Sequence, residues 1–197
     1  MKYKRILSVL LWSFLIIGEV VLGQEKIKNK WYLELEPLQF ANNGWSVVGH
    51  YAIHNQLHIG SNLFASTLSE GLNDWVWNTN GKISLQAQQK IGVNVSIRYF
   101  FKAHPNPKGW LVSLPLGWER WTLTDLEVAE SQDYRFWYLS PRIGYLWFPF
   151  TKARFYLIGE AIAILPIQTN GVLSYSNGNI NIRSLIPFPS VGLGISF

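Results

Sequence analysis

Ile91-Gly92-Val93-Asn94-Val95-Ser96-Ile97-Arg98-Tyr99-Phe100-Phe101 is the stretch that decides the fold. Ile91, Val93, Val95, Ile97, Tyr99 and Phe101 alternate with Gly92, Asn94, Ser96, Arg98 and Phe100. A side-chain period of two belongs to a β-strand. A strand apolar on one face and mostly small or polar on the other suits two settings. One is a soluble sheet with a buried face; the other is a closed barrel whose outside meets lipid and whose lumen is polar. The rest of the chain decides between them.

The alternation recurs. Trp31, Leu33 and Leu35 oppose Tyr32, Glu34 and Glu36; Trp45, Val47, Tyr51 and Ile53 oppose Ser46, His50 and Ala52; Leu57, Ile59 and Leu63 oppose His58, Gly60 and Asn62. Further on, Trp110, Val112, Leu114, Leu116 and Trp118 oppose Ser113, Pro115, Gly117 and Glu119, and Trp137, Leu139, Ile143, Tyr145 and Trp147 oppose Tyr138, Ser140, Arg142 and Gly144. Residues 155–165 are almost wholly apolar, and Glu160 is what points one parity inward. The last strand sets Val191, Leu193, Ile195 and Phe197 against Gly192, Gly194 and Ser196. These segments predict an all-β fold, a closed antiparallel eight-stranded transmembrane β-barrel over residues 24–197. Counting residues 72–77 and 82–85 as separate strands would give ten.

Residues 1–23 read as a cleaved signal peptide: Lys2, Lys4 and Arg5 precede an apolar run over 6–17, and Val21 and Gly23 supply small side chains before Gln24. That run is short of the roughly 18 to 20 residues that span a bilayer. No later stretch is apolar and continuous enough for a membrane helix, so any membrane crossing is made by strands. The chain has no cysteine, which excludes a disulfide scaffold, a thiolate metal site and a thiol nucleophile. A formal net charge of +5, without a long Lys/Arg run, calls for no nucleic-acid partner.

Connections and aromatic residues point the same way. With the first strand running outward, inner turns fall at 54–56, 102–109 and 150–153, and outer loops near 41–44, 68–89, 126–135 and 168–183. Short turns on one side and longer loops on the other are the habit of outer-membrane barrels. Asn80-Gly81 and Asn177-Gly178 are hairpin-favouring dipeptides within two of the loops, predicting strand pairs that rise above the membrane. Trp31, Tyr51, Tyr99, Phe101, Trp110, Tyr145, Trp147, Phe148, Phe150, Phe155, Tyr156 and Phe197 are expected near the inner rim, and Phe40, Trp45, Phe64, Trp118, Trp121, Phe136, Trp137 and Phe188 near the outer. Pro115, Pro141, Pro166, Pro187 and Pro189 run against a closed ladder, which has no edge to hold a residue without a donor, and mark expected bulges or strand ends.

The leader, the alternating strands and the closing Val191-Gly192-Leu193-Gly194-Ile195-Ser196-Phe197 together resemble the small eight-stranded outer-membrane barrel proteins of Gram-negative bacteria. Gly144-Tyr145-Leu146-Trp147-Phe148-Pro149-Phe150, with Arg154-Phe155-Tyr156-Leu157, resembles the inner hairpin of uncharacterised members from Bacteroidetes. The resemblance implies a bacterial outer-membrane location, lipid as surroundings and delivery by the barrel-assembly machinery, with Val191, Leu193, Ile195 and Phe197 as the assembly signal. Such families are defined by architecture more than by activity.

The parities send Glu34, Glu36, Arg98, Glu119, Arg142 and Glu160 into a lumen just wide enough for side chains to fill. Charges there must pair. The expected arrangement is an ion-pair plug, with Arg98 and Glu119 as the first pair, and the rival is a polar path. His50, His54 and His58 share a parity across the first inner turn, but turn-side polar residues explain them without a metal. No Gly-x-Ser-x-Gly elbow or Ser–His constellation marks a nucleophile. Asn94-Val95-Ser96, a glycosylation triplet, lies within a strand. Trp75 and Trp77, beside Asp74, either expose aromatic surface on an outer loop as an interaction site, or rest on lipid headgroups or cap the barrel mouth, which their interface preference favours. The reading is a monomeric, non-enzymatic barrel without cofactor, with a structural, adhesive or interaction role through its outer loops and an unidentified extracellular ligand or protein as partner. A narrow pore and a lipid A-modifying enzyme are the alternatives.

Overall fold

The computed structural model describes residues 30–81, 83–104, 106–150 and 154–197. The signal-peptide reading of 1–23 and most of the expected 150–153 turn lie outside them. In chain order the elements are β1 (Trp31–Leu35), α1 (Pro37–Ala41), β2 (Trp45–Ala52), β3 (Leu57–Thr67), α2 (Glu70–Val76), β4 (Trp77–Gly81), β5 (Leu85–Phe100), β6 (Gly109–Asp125), β7 (Glu130–Leu139), β8 (Arg142–Trp147), β9 (Phe155–Thr169), β10 (Leu173–Tyr175), β11 (Gly178–Ile182) and β12 (Ile186–Ser196).

Antiparallel pairing runs from β1 through β2, β3, β5 and β6 to β7 and β8, then to β9, β12 and back to β1. β7 and β8 form one stave. Leu139 opposes Leu116 and Arg142 opposes Ser113, so the register passes unchanged through Ser140 and Pro141. The interruption comes from two prolines on adjoining rungs, Pro115 and Pro141. Each lacks a donor, yet their carbonyls stay in the ladder, accepting the Ser140 amide at 2.9 Å and the Ala163 amide at 3.0 Å. Among the described residues the ring therefore has eight staves. The ten-strand alternative is excluded: residues 70–76 are helical, and β4 joins β10 and β11 in a separate three-stranded sheet.

One seam shows how the wall is zoned. Along the outward-facing pairs between β6 and β7–β8, Trp110 opposes Tyr145, Val112 opposes Ile143, Leu116 opposes Leu139, Trp118 opposes Trp137, Arg120 opposes Arg135 and Thr122 opposes Asp133. An apolar band thus lies between two aromatic pairs, with charge beginning on the next rung. This is the profile of a wall that crosses a bilayer, whose apolar height is about 25 Å between aromatic girdles. Leu33, Val47, Ile59, Val93, Val95, Leu114, Val191, Leu193 and Ile195 continue the exposed belt around the ring.

The β1–β12 seam is short. Pairing begins at Tyr32 with Ser196 and stops at Leu35 with Leu193, whereas β12 pairs β9 from Ile186 to Ile195. Phe197 exchanges both backbone bonds with Trp31 at 2.9 Å, and the Ser196 amide turns to Arg154. By the period of two, Pro187 and Pro189 turn their donorless nitrogens to the β1 side, beyond the point where β1 ends. The barrel thus has a local edge after all, and these two prolines occupy it. The one-turn helix α1, begun by Pro37, packs against β12 and β2 in the gap. Trp75 Nε1 donates to the Pro187 carbonyl at 2.8 Å. Pro166 lies beside a register shift opposite Trp137 and Tyr138.

The connections differ in two places from the sequence reading. The expected outer loop at 126–135 is only 126–129, because β6 and β7 continue as a pair to Asp125 and Glu130, and Ala129 closes the turn at φ 53°. Asn80-Gly81 is not a hairpin turn, since its partner is β11, with Asn179 opposite Asn80 and Gly178 opposite Gly81.

Candidate functional site

A narrow lumen is filled through matched pairs of large and small side chains. His50 lies over Gly60, Phe64 over Gly92, Tyr138 over Gly117 and Tyr156 over Gly194, each directly across its ladder. A Cβ on any of these glycines would overlap the ring lying on it. The glycine parity in each strand is what lets a neighbouring ring lie flat along the inner wall.

Three layers follow from the short-turn end to the long-loop end. The first is apolar, made of Tyr32, Phe100, Leu111, Leu146, Tyr156 and Ile158, with Phe148 packed against them, so Phe148 and Tyr156 face the lumen and not the inner aromatic rim. His58 sits within it, its ring 4.7 Å from Tyr32 and 4.9 Å from Phe100.

The second layer is charged. Arg98, from β5, reaches across to Glu34 of β1 and donates to both carboxylate oxygens, at 2.6 and 3.2 Å. The Tyr156 hydroxyl donates to the same carboxylate at 3.0 Å, and His50 Nε2 lies 3.9 Å from it. Glu160 stands 3.8 Å from Arg98 and 3.2 Å from Arg142, and Arg142 lies 3.9 Å from Glu36. Glu36 accepts from Ser46 at 2.6 Å and from Ser190 at 3.3 Å. Three carboxylates and two guanidiniums from β1, β5, β8 and β9 and the residue beside β1 therefore form one buried network. Forked guanidinium–carboxylate bonds of this kind carry both strength and geometry.

Glu119 stands apart, and the expected Arg98–Glu119 pair does not form. Both side chains point inward on neighbouring strands, but Arg98 opposes Ser113 while Glu119 opposes Gly92. Six residues of strand, on the order of 20 Å, separate the two rungs. Glu119 instead accepts from Trp121 Nε1 at 2.8 Å. Nearby, Asn94 donates to the Tyr138 hydroxyl at 3.2 Å. Two small cavities remain at this level, of about 70 Å³ beside Glu36, Asn62, Tyr138 and Arg142 and about 100 Å³ beside Phe64, Gln89, Trp121 and Phe136.

The third layer is a second apolar core. Phe64, Trp77, Trp121, Leu123, Tyr134, Phe136, Leu173, Ile180 and Ile186 are buried together, so Phe64, Trp121 and Phe136 face inward and not onto the outer aromatic rim. Trp77 is not the exposed interaction residue of the first alternative; it packs inside the long-loop end of the barrel. It is 1 % accessible and stands edge-on to Trp121 and Tyr134, with centroids 5.6 and 5.1 Å away. Trp75 is 50 % accessible. The long loops are stitched to this core: Tyr175 donates to the Leu123 carbonyl at 2.8 Å, Gln132 to that of Ser174 at 2.6 Å, and Asn73 to that of Leu85 at 2.7 Å. Burial pushes the Tyr175 phenol up to about 12.

Of the remaining candidates, Val191, Leu193, Ile195 and Phe197 all face outward from the wall. His50 and His58 lie in the lumen with both ring nitrogens unbonded, and His54 Nδ1 accepts the Gln56 amide at 3.3 Å. Among the described residues no three His, Asp or Glu side chains converge as a metal-binding group. Two furrows lie outside the lumen in the apolar wall where Gly49 and Ser61 leave room, the larger bordered by Leu33, Trp45, Val47, Val93 and Trp137 and the smaller by Tyr51, Ile59 and Leu114.

No family model matches the chain, and no curated protein sequence matches it. Among solved structures it is similar to Ail, the attachment invasion locus protein of Yersinia pestis, determined in complex with the heparin analogue sucrose octasulfate. The TM-score is 0.40 and the identity 8 %, over 85 % of this chain and 94 % of that one.

Proposed function

We propose that the chain is a monomeric outer-membrane protein of a Gram-negative bacterium, of the Bacteroidetes type, that acts through the surface of its long-loop end. The observation that carries this reading is the packing of the lumen. An apolar layer, a paired charged layer and a second apolar core succeed one another along the axis. A barrel filled in this way offers solutes no polar path, and its fixed, internally cored loops offer a partner a rigid face. The role is structural, adhesive or interactive, with an extracellular ligand or protein as partner. The barrel-assembly machinery would recognise Val191, Leu193, Ile195 and Phe197.

Two measurements test it. In planar bilayers the purified protein is expected to give no steady conductance, and reproducible channels would overturn the filled-lumen reading in favour of a narrow pore. Cells carrying the full chain are compared for surface attachment with cells in which residues 173–182 are replaced by a Gly/Ser linker. Attachment is expected to fall, and equal attachment by the two would remove the loops from the role.

A further inference from the structure

The wall carries a row of cations that the lumen does not explain. Arg120 and Arg135 are direct partners across the β6–β7 ladder. Like charges set opposite one another destabilise a sheet pair. A third cation joins them through a bulge in β5: Gln89 opposes Trp121 and Ile91 opposes Arg120, which leaves Lys90 as the extra residue. Gln89 is buried and Gly92 follows inward, so the bulge turns Lys90 and Ile91 both to the outer face. Re-aiming one side chain is what a bulge does. Here it places an ammonium beside the Arg120–Arg135 pair.

The surroundings offer little neutralisation. Asp133 accepts from Arg120 Nε at 3.1 Å and also contacts its terminal nitrogen. Lys90 donates to the neutral amide of Gln88, and the Arg135 amide donates to Asn170 at 2.9 Å. Among the described residues neither Lys90 nor Arg135 is in an ion pair with a carboxylate. The row thus holds three cations against one anion, on three consecutive staves. It stands one outward rung beyond the Trp118–Trp137 pair, the depth at which aromatic rings meet lipid headgroups.

We propose that Lys90, Arg120 and Arg135 form a binding site for the phosphomonoester headgroup of an outer-leaflet lipid. A phosphomonoester carries close to two negative charges near neutral pH, which matches the excess of the row. Guanidinium forks suit phosphate oxygens. The tryptophan pair beneath sets the depth, which favours a phosphate borne on a lipid over one free in solution. The site rests on the membrane-spanning reading.

The full chain is reconstituted in phosphatidylcholine vesicles, and quenching of its tryptophans by brominated phosphatidic acid is compared with quenching by brominated phosphatidylcholine. Phosphatidic acid is expected to be preferred. Replacing Arg120→Gln and Arg135→Gln together is expected to lower the preference about fivefold per cation removed, while gel mobility before and after boiling shows that the barrel still folds. No preference in the unmodified chain, or one unchanged in the folded variant, overturns the site. Inorganic phosphate in the buffer is expected to leave the preference intact; if it abolishes the preference, the site takes a soluble anion and the lipid assignment falls. Absence of quenching by brominated phosphatidylcholine would sink the membrane reading itself, and the site with it.

Discussion

The charged layer of the lumen and the apolar core under the long loops are both buried, yet they are held by different physics. In the charged layer each group is tolerable only while its partner is present. Arg98 joins Glu34 and Glu160, which the sequence places 64 and 62 positions away. In the loop core, Trp77, Trp121, Tyr134 and Ile180 contribute area and shape, and losing one leaves no unpaired charge behind. The first region couples distant staves of the ring. The second fastens loops to the top of strands that are already paired.

The difference predicts unlike responses to losing one side chain. Arg98→Met alone leaves the Glu34 carboxylate without its main partner in the lumen and is expected to cost about 3–5 kcal/mol. Removing both ends of the bond, Glu34→Gln with Arg98→Met, should restore much of the loss, because no uncompensated charge then remains on that bond. Unfolding of the detergent-solubilised protein in urea measures both. A double variant destabilised by the sum of Arg98→Met and Glu34→Gln measured singly would show that the two side chains are not coupled.

Trp77→Ala is the matching change in the loop core. Removing a buried indole from such a setting costs about 3–5 kcal/mol where the whole fold depends on it. Here β4 pairs with β11 and not with a barrel stave, so the loss should stay in the loops. Limited proteolysis is expected to cut within residues 68–84 and 170–185, while the folded band on an unboiled gel persists. Loss of the folded band would mean that the loops and the ring form one cooperative unit.

The strand parities were legible because a period of two is written residue by residue, and inward placement of Glu34, Glu36, Arg98, Glu119, Arg142 and Glu160 follows from it. Their pairing was not, because pairing depends on register, and register depends on turn lengths and on the bulge at Lys90. Arg98 and Glu119 illustrate this: correct faces and neighbouring strands, but rungs far apart. Trp77 was misplaced for another reason. A loop rich in tryptophan looks exposed until the strands beside it are seen to extend beyond the membrane and enclose a second core. Pro187 and Pro189 opposed a closed ladder only so long as every stave was given equal length. The early end of β1 resolves them, and Pro37 is the residue in the sequence that could have signalled it.

The exposed Arg120–Asp133 pair sets the scale against which the buried layer can be judged, and it carries the smallest expected effect. The Arg120 guanidinium, bonded to Asp133, holds that carboxyl below its usual range, with Thr122 adding a second bond at 3.1 Å. A carboxylate depressed in the folded state contributes stability that is present above its unfolded pKa, about 3.9. That contribution is lost as the pH falls through the lower folded value. Both side chains are about two-fifths accessible, at 43 % and 39 %, so water screens the pair and Asp133→Asn should cost under about 1 kcal/mol at neutral pH. The gap between variant and parent should close below pH of about 4 as the parent's own carboxyl is protonated. The same substitution removes the only anion from the cation row, so preference for phosphatidic acid should rise while stability falls. A variant that lost both would show that Asp133 orients Arg120 for the phosphate and does more than compete with it.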